Sequence, residues 1–324
     1  MNNMNMDEII NRANVDKYWS NHITNYEKVI KVNAIYLIDK QHFDIIIKYM
    51  YIDAYVQNKD YDRICKIYNE MQEKRIGKSD SKCFNTLIDS FRQYGYLKQF
   101  PIPVNENLKI LNGSHRLACC FYFNIDPYIE IVDAKEHTYA IDWFLNNGFS
   151  MENINEAVLV SKKIINKLYD NKETAINGII WNAAIDFESE IFEFISFYCE
   201  VLEKKKYELG DNYENFVKYV YENDGIPSWK INKKISHMNT FDNKSVILFK
   251  LHVKEDYQYD NNMKIIVNRN ISEMKKYIRE KISPRINNYY YDVIIHLPYN
   301  YEENGFLKSA IGRLSEQKNK ICLV

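Results

Sequence analysis

The most constraining stretch of this chain is Ile110-Leu111-Asn112-Gly113-Ser114-His115-Arg116-Leu117-Ala118. A short apolar run enters a glycine turn, and a His-Arg pair follows on the first turn of an apolar, helix-forming segment. Strand, tight turn and helix start together make an anion site. The first amides of a helix have no intrahelical acceptor, and the helix dipole adds partial positive charge there. Arg116 can fork onto a phosphate or carboxylate, and His115 can donate a hydrogen bond or move a proton.

The rest of the chain must fold around that turn with few others like it. Among 324 residues there are only 9 glycines and 6 prolines, which favours long helices over tight turns. The 27 tyrosines match an Asn-, Lys- and Ile-rich composition and carry no functional weight. A formal net charge of −1 leaves no broad basic surface and argues against nucleic acid as a partner. Met1 to Asp7 is polar and acidic, without the apolar core of an export signal, and no apolar run is long enough to span a membrane. The six cysteines are dispersed and form no CxxC pair, which reads as reduced thiols. A cytoplasmic protein with no membrane contact is expected.

Periodicity gives the order of elements. Val29–Ile38 reads as a strand; helical spacing follows from Phe43 to Val56, from Tyr61 to Met71, and from Phe84 to Phe91, ending at Gly95. Phe100–Val104 must be extended because of its prolines, Asn105–Asn107 turns, and Leu108–Leu111 runs antiparallel to it. Ser114–Phe123 is a helix and Pro127–Val132 a strand. A helix from Thr138 closes at Gly148, where a boundary is expected: 1–148 as one domain and 149–324 as a second. The second half predicts helices over 155–169, 187–202 (with Lys204-Lys205-Lys206 at its C-terminus), 213–221, 229–238, 271–282 and 301–314. Strands are predicted over 245–253 and 291–297, and 176–181 is a short apolar run left without an assignment.

The helix Phe84-Asn85-Thr86-Leu87-Ile88-Asp89-Ser90-Phe91 with Tyr94-Gly95, then Pro101-Ile102-Pro103-Val104, a strand, the Gly113-Ser114-His115-Arg116 turn and a helix form an ordered set. Over residues 29–135 this set resembles the ParB/sulfiredoxin superfamily. The resemblance implies an α/β fold with a ParB/sulfiredoxin-like N-terminal domain followed by a helix-rich α/β C-terminal domain. Members of that superfamily hold nucleotide phosphates at this turn. Sulfiredoxins carry a reactive cysteine just before His-Arg; here Ser114 stands there and cannot form their thiosulfinate intermediate. The partition proteins use Gly-Glu-Arg-Arg, which Ser114 and His115 replace. The turn is most similar to the Asp-Gly-x-His-Arg of the free-serine kinases, with Asn112 in place of Asp. An amide orients or coordinates but takes no proton, so a base is expected elsewhere.

The resemblance implies a nucleotide-dependent kinase acting on a small hydroxylated metabolite such as serine or a sugar-like alcohol. Asn112, Gly113, Ser114, His115 and Arg116 would hold phosphate, with His115 and Asp89 catalytic. Mg²⁺ and a nucleoside phosphate (ATP, ADP or CTP) would serve as cofactors. Asp53, Glu106 and Glu130 are further carboxylates that could meet a metal. The alternative is a nucleotide-binding switch without transfer, which Asn112 favours.

Two other places carry chemistry. Asp292 and His296 lie four apart in a predicted strand, on one face and about 13 Å apart by strand rise, too far to share a metal. A histidine at a strand end before a polar loop is where α/β folds place ligands. Trp229-Lys230-Ile231-Asn232-Lys233-Lys234 with Arg279 and Arg285 reads either as a solvated basic face or as a phosphate or acidic-substrate patch. No HExxH, P-loop, GxGxxG or GxSxG occurs.

Overall fold

A computed structural model describes residues 29–38, 41–79, 81–135, 137–169, 175–222, 226–287, 289–290 and 292–316. The polar N-terminal stretch, Asp80, Asp224, Gly225, Tyr291 and Cys322 lie outside them. The chain is mixed α/β and divides into two compact units, Met1–Lys172 and Glu173–Val324.

In unit 1 a three-stranded sheet has the order β1 (Val29–Lys31), β3 (Tyr128–Ile131), β2 (Ile102–Val104). β1 runs antiparallel to β3, and β2 runs parallel to it. Four helices build the rest of the site's surroundings: α1 (Asp44–Gln57), α2 (Tyr61–Ile76), α3 (Ser81–Tyr94) and α4 (Ser114–Phe123). α4 begins and ends at the residues its sequence predicts, because a glycine starts it and its apolar middle, Leu117 to Phe121, is buried all round. α1 packs on both α2 and α4 and is buried nearly all round, including Asp44 and Lys48. α5 (Ile141–Asn146) and α6 (Met151–Tyr169) complete the unit.

Three expectations for this unit change. Only the first three residues of Val29–Ile38 pair as a strand; Ala34–Leu37 is a 3-10 turn, started by Asn33, whose side chain accepts from the Ile35 amide. Leu108–Leu111 is reduced to one bridge, Val104 to Ile110, because Leu108 adopts φ +58°. The unit extends past Gly148, since α6 packs on α1, α4, α5 and the 3-10 turn.

Unit 2 is built on an antiparallel sheet of order β5 (Cys199–Glu208), β6 (Ser245–Val253), β4 (Ala175–Ile180), β9 (Ile295–His296). Its helices are α7 (Glu188–Ser196), α8 (Tyr213–Glu222), α9 (Ser228–Met238), α10 (Arg269–Ile282) and α11 (Tyr301–Glu316). A hairpin of β7 (Tyr257–Asp260) and β8 (Ile265–Asn268) was not read from the sequence; Asp260 closes it by accepting from the Asn262 and Met263 amides.

The helix expected over 187–202 stops at Ser196. Pairing with β6 along nearly its whole length outweighs the helical preference of the Glu- and Lys-rich segment. A bulge between Val201 and Glu203 turns Leu202 outward. The three lysines 204–206 therefore lie on an edge strand, where charge discourages pairing with another chain, and do not cap a helix. The five described cysteines are free thiols, with Cys119 and Cys120 buried. Among the described residues no helix is long and apolar enough to cross a membrane.

Candidate functional site

Gly113 is the residue before α4 and sits at φ +86°, in the left-handed region that favours glycine. No side chain caps α4, so the first amides of the helix, from Ser114 onward, are left to other acceptors. The Asn112 side-chain Oδ1 accepts from the Gly113 amide at 2.5 Å, which fixes the turn.

Behind the turn lies a residue that the sequence reading missed. Lys48 of α1, with a side chain that is 0% exposed, donates to Ser114 Oγ at 2.8 Å and to Asp44. Asp44 in turn lies 3.4 Å from Arg75 of α2. Arg75 is held by Gln72 Oε1 at 3.0 Å and by the face of Tyr139, 4.0 Å from its ring centroid. Burial alone would raise the Asp44 pKa, but Lys48 and Arg75 outweigh it and hold the carboxylate well below its usual range. Burial, then the charge of Arg75, pull Lys48 down to about 7 against the attraction of Asp44. The only sequence signal was Asp44 and Lys48, four apart, interrupting the apolar face of α1.

His115 is brought to the site but faces inward. Its Nε2 lies 2.8 Å from Tyr68 Oη and 3.5 Å from Gln72 Nε2, and its ring packs edge-on to Phe84 with centroids 4.5 Å apart. Burial first, then Lys48 and Arg75, push its pKa well below the usual value. A neutral ring with its proton on Nδ1 has one lone pair at Nε2, which the nearer Tyr68 hydroxyl takes.

Arg116 does not point outward either. Its Nη1 donates to the carbonyls of Phe100 (2.6 Å) and Pro101 (2.8 Å), clamping the segment that leads into β2. A Cβ added at Gly113 would meet Arg116 Nη2 at 2.9 Å, and the clamp leaves that guanidinium little room to give. With the positive φ, Gly113→Ala is expected to cost about 1–3 kcal/mol in a urea titration.

Asp89 is exposed on α3, where it accepts from Tyr55 Oη at 3.0 Å and lies 3.8 Å from Arg92. Asp53 and Glu106 are exposed, while Glu130 is buried in β3. Among the described residues no three His, Cys, Asp or Glu side chains gather as a metal cage. The acid that approaches the turn is Asp44, through Lys48.

In unit 2 His296 lies on β9, but Asp292 is not on a strand. Only Ile295 and His296 pair with β4, and Asp292 takes φ +52° before that ladder begins. The sheet is antiparallel at this end, so the rule that places ligands at the ends of parallel strands has no hold here. The Asp292 carboxylate lies 3.2 Å from Arg279 Nε, and its backbone carbonyl accepts from Tyr221 Oη at 3.2 Å.

The chemistry available at the unit 1 turn follows from the hydrogen-bond directions. Ser114 Oγ accepts from Lys48, so its own hydroxyl proton remains to donate, and Ser114 is partly exposed. That hydroxyl stands on the first residue of α4, beside the uncapped amides of the helix start, with the buried Lys48 amine on its oxygen. In comparisons with known proteins, no family model matches this chain, and neither a curated protein nor a solved structure matches it significantly.

Proposed function

We propose that unit 1 binds the phosphate of a nucleotide at the N-terminus of α4 and acts as a nucleotide-binding switch of the ParB/sulfiredoxin-like type. The observation that carries this reading is the Lys48 to Ser114 contact at 2.8 Å. It leaves the Ser114 hydroxyl proton for another acceptor and sets beside an uncapped helix start an amine that is charged below about pH 7. The glycine turn leading α4 and the small sheet with β2 parallel to β3 support the ParB/sulfiredoxin-like architecture. Arg116 serves the fold, and Asn112 and Asp44 are held by neighbours within the unit, which favours binding without transfer.

A second reading, phosphotransfer to a small alcohol such as serine or a sugar-like compound, is favoured by Lys48 alone. An amine held to about pKa 7 can accept a proton relayed through Ser114 from an acceptor hydroxyl. Mg²⁺ commonly binds through phosphate oxygens, waters and one or two carboxylates, so it would arrive on the nucleotide.

Equilibrium binding of ATP, ADP and CTP with Mg²⁺ tests both. Binding is expected, and Ser114→Ala is expected to weaken it by about 10- to 100-fold, the worth of a hydrogen bond to a charged group. Incubation of each nucleotide with a panel of small alcohols then separates them: a phosphorylated alcohol selects the transferase, and binding without turnover selects the switch. A chain that binds none of the three nucleotides sinks both readings.

A further inference from the structure

Three cations from two helices of unit 2 meet beside β9. Lys234 of α9 is 1% exposed and Lys275 of α10 is 6% exposed, burial that lysine rarely tolerates. Arg279 follows one helical turn after Lys275. All three act on His296: burial first, then Lys275, Lys234 and Arg279, push its pKa down to about 3, so the ring adds no charge of its own.

The contacts fix the cluster. Lys275 Nζ donates to the Leu297 carbonyl at 2.8 Å and lies 3.3 Å from the Tyr299 ring centroid. Lys234 Nζ lies 4.7 Å from the centroid of Tyr221, and Arg279 meets Asp292. The Glu303 carboxylate is turned to the Tyr299 amide at 2.7 Å.

A second anomaly occurs at the same place. Trp181, fully buried directly after β4, stacks on Tyr221 with centroids 5.6 Å apart and meets His296 edge-on at 6.5 Å. Its Nε1–H has no hydrogen-bond partner among the described residues. A buried donor left this way costs about 1–3 kcal/mol unless something accepts from it.

We propose that unit 2 carries a binding site for a phosphate dianion, free or as a monoester, seated among Lys234, Lys275, Arg279 and the Trp181 indole N–H. Two lysine point charges, one guanidinium fork and one neutral donor suit a tetrahedral oxyanion. Convergent cations suit a ligand carrying more than one negative charge, and a phosphate monoester carries about −1.5 to −2 at neutral pH. The site joins the basic segment ending at Lys234 with His296, which the sequence presents as separate candidates. It does not depend on what unit 1 binds.

The indole N–H is the direct readout. The chain has four tryptophans, so full-length protein labelled with ¹⁵N at the indole gives four signals; Trp19→Phe, Trp143→Phe and Trp229→Phe assign that of Trp181 by elimination. Inorganic phosphate and glycerol phosphate are titrated at constant ionic strength against chloride and acetate.

The Trp181 signal is expected to move saturably with phosphate or its ester and not with acetate. Lys234→Met/Lys275→Met is expected to weaken the response at least tenfold, while Ser114→Ala leaves it unchanged. Tighter binding of glycerol phosphate assigns the ester, and equal binding assigns the free anion. If the double variant loses its near-ultraviolet circular dichroism, Arg279→Gln replaces it and must weaken the response by a similar factor. A Trp181 signal that phosphate leaves in place, that acetate moves equally, or that these variants do not affect overturns the site.

Discussion

Asp44→Ala is expected to destabilise unit 1 by about 3–5 kcal/mol, the cost of removing one partner from a buried ion pair. Asp44 and Lys48 side chains are both 0% exposed, and Arg75 lies 3.4 Å from the same carboxylate. Taking the carboxylate away leaves two cations beside each other with no water to stabilise them. Lys48→Met is the milder change, because Arg75 still faces Asp44. It is expected to cost less than half as much in urea unfolding while removing the charge under Ser114. The pH dependence separates the two groups. The Asp44 carboxyl titrates lower in the fold than in the unfolded chain. Its contribution is complete above the unfolded pKa, about 3.9, and drains as the pH falls below it. Lys48 is pulled down to about 7, so between there and about 10.4 the unfolded chain holds a proton that the native protein has released. Stability therefore rises with pH across that window, and Lys48→Met should flatten the rise between pH 7 and 9. An unchanged slope in that variant would show that Lys48 is not the buried amine described here.

What the sequence made legible was local. A glycine turn and the apolar run behind it placed α4, and a strand-forming apolar run, Val246 to Phe249, placed β6. Partners from distant segments were not legible. Ser114 could be read as a helix start, but its meeting with Lys48, 66 residues earlier, depends on how α1 packs on α4. His115 meets Tyr68 of α2, and Arg116 meets Phe100 and Pro101, so two residues with outward chemistry in sequence are half-buried and tied to their own unit. β5 shows the other limit: its Glu and Lys residues favour a helix locally, and only a ten-residue strand pairing with β6 decides otherwise. In unit 2 Lys234 and Arg279 were read together as one basic patch, and His296 as a separate candidate. Their convergence requires α9 and α10 to pack at the same end of the sheet. The buried Trp181 N–H beside them left no sequence signature.

Gly178→Ala is expected to destabilise unit 2 by about 2–3 kcal/mol, although alanine has the better intrinsic preference for a strand interior. Gly178 stands in β4 opposite Phe249 of β6, and the Phe249 ring lies directly over the missing side chain. That ring is also held from the side by Phe192, with centroids 5.3 Å apart in an edge-on arrangement. A Cβ at 178 would overlap the end of the Phe249 ring and meet Leu297 Cδ2 at 2.7 Å. Neither neighbour can withdraw easily, since Phe249 and Leu297 are both buried. If the glycine were present only for backbone freedom, alanine would stabilise the strand by about 0.5–1 kcal/mol, so the sign alone decides. Phe249→Leu shortens the ring side and should recover part of the loss in the double variant. The expected coupling between the two sites is about 1–2 kcal/mol in a double-mutant cycle followed by urea unfolding. Leu297 follows His296 directly, and β4 runs straight into Trp181. Strain at 178 is therefore passed to both sides of the cation cluster. In Gly178→Ala protein that remains folded, the Trp181 indole signal should shift before any phosphate is added, whereas Gly113→Ala in unit 1 should leave it in place.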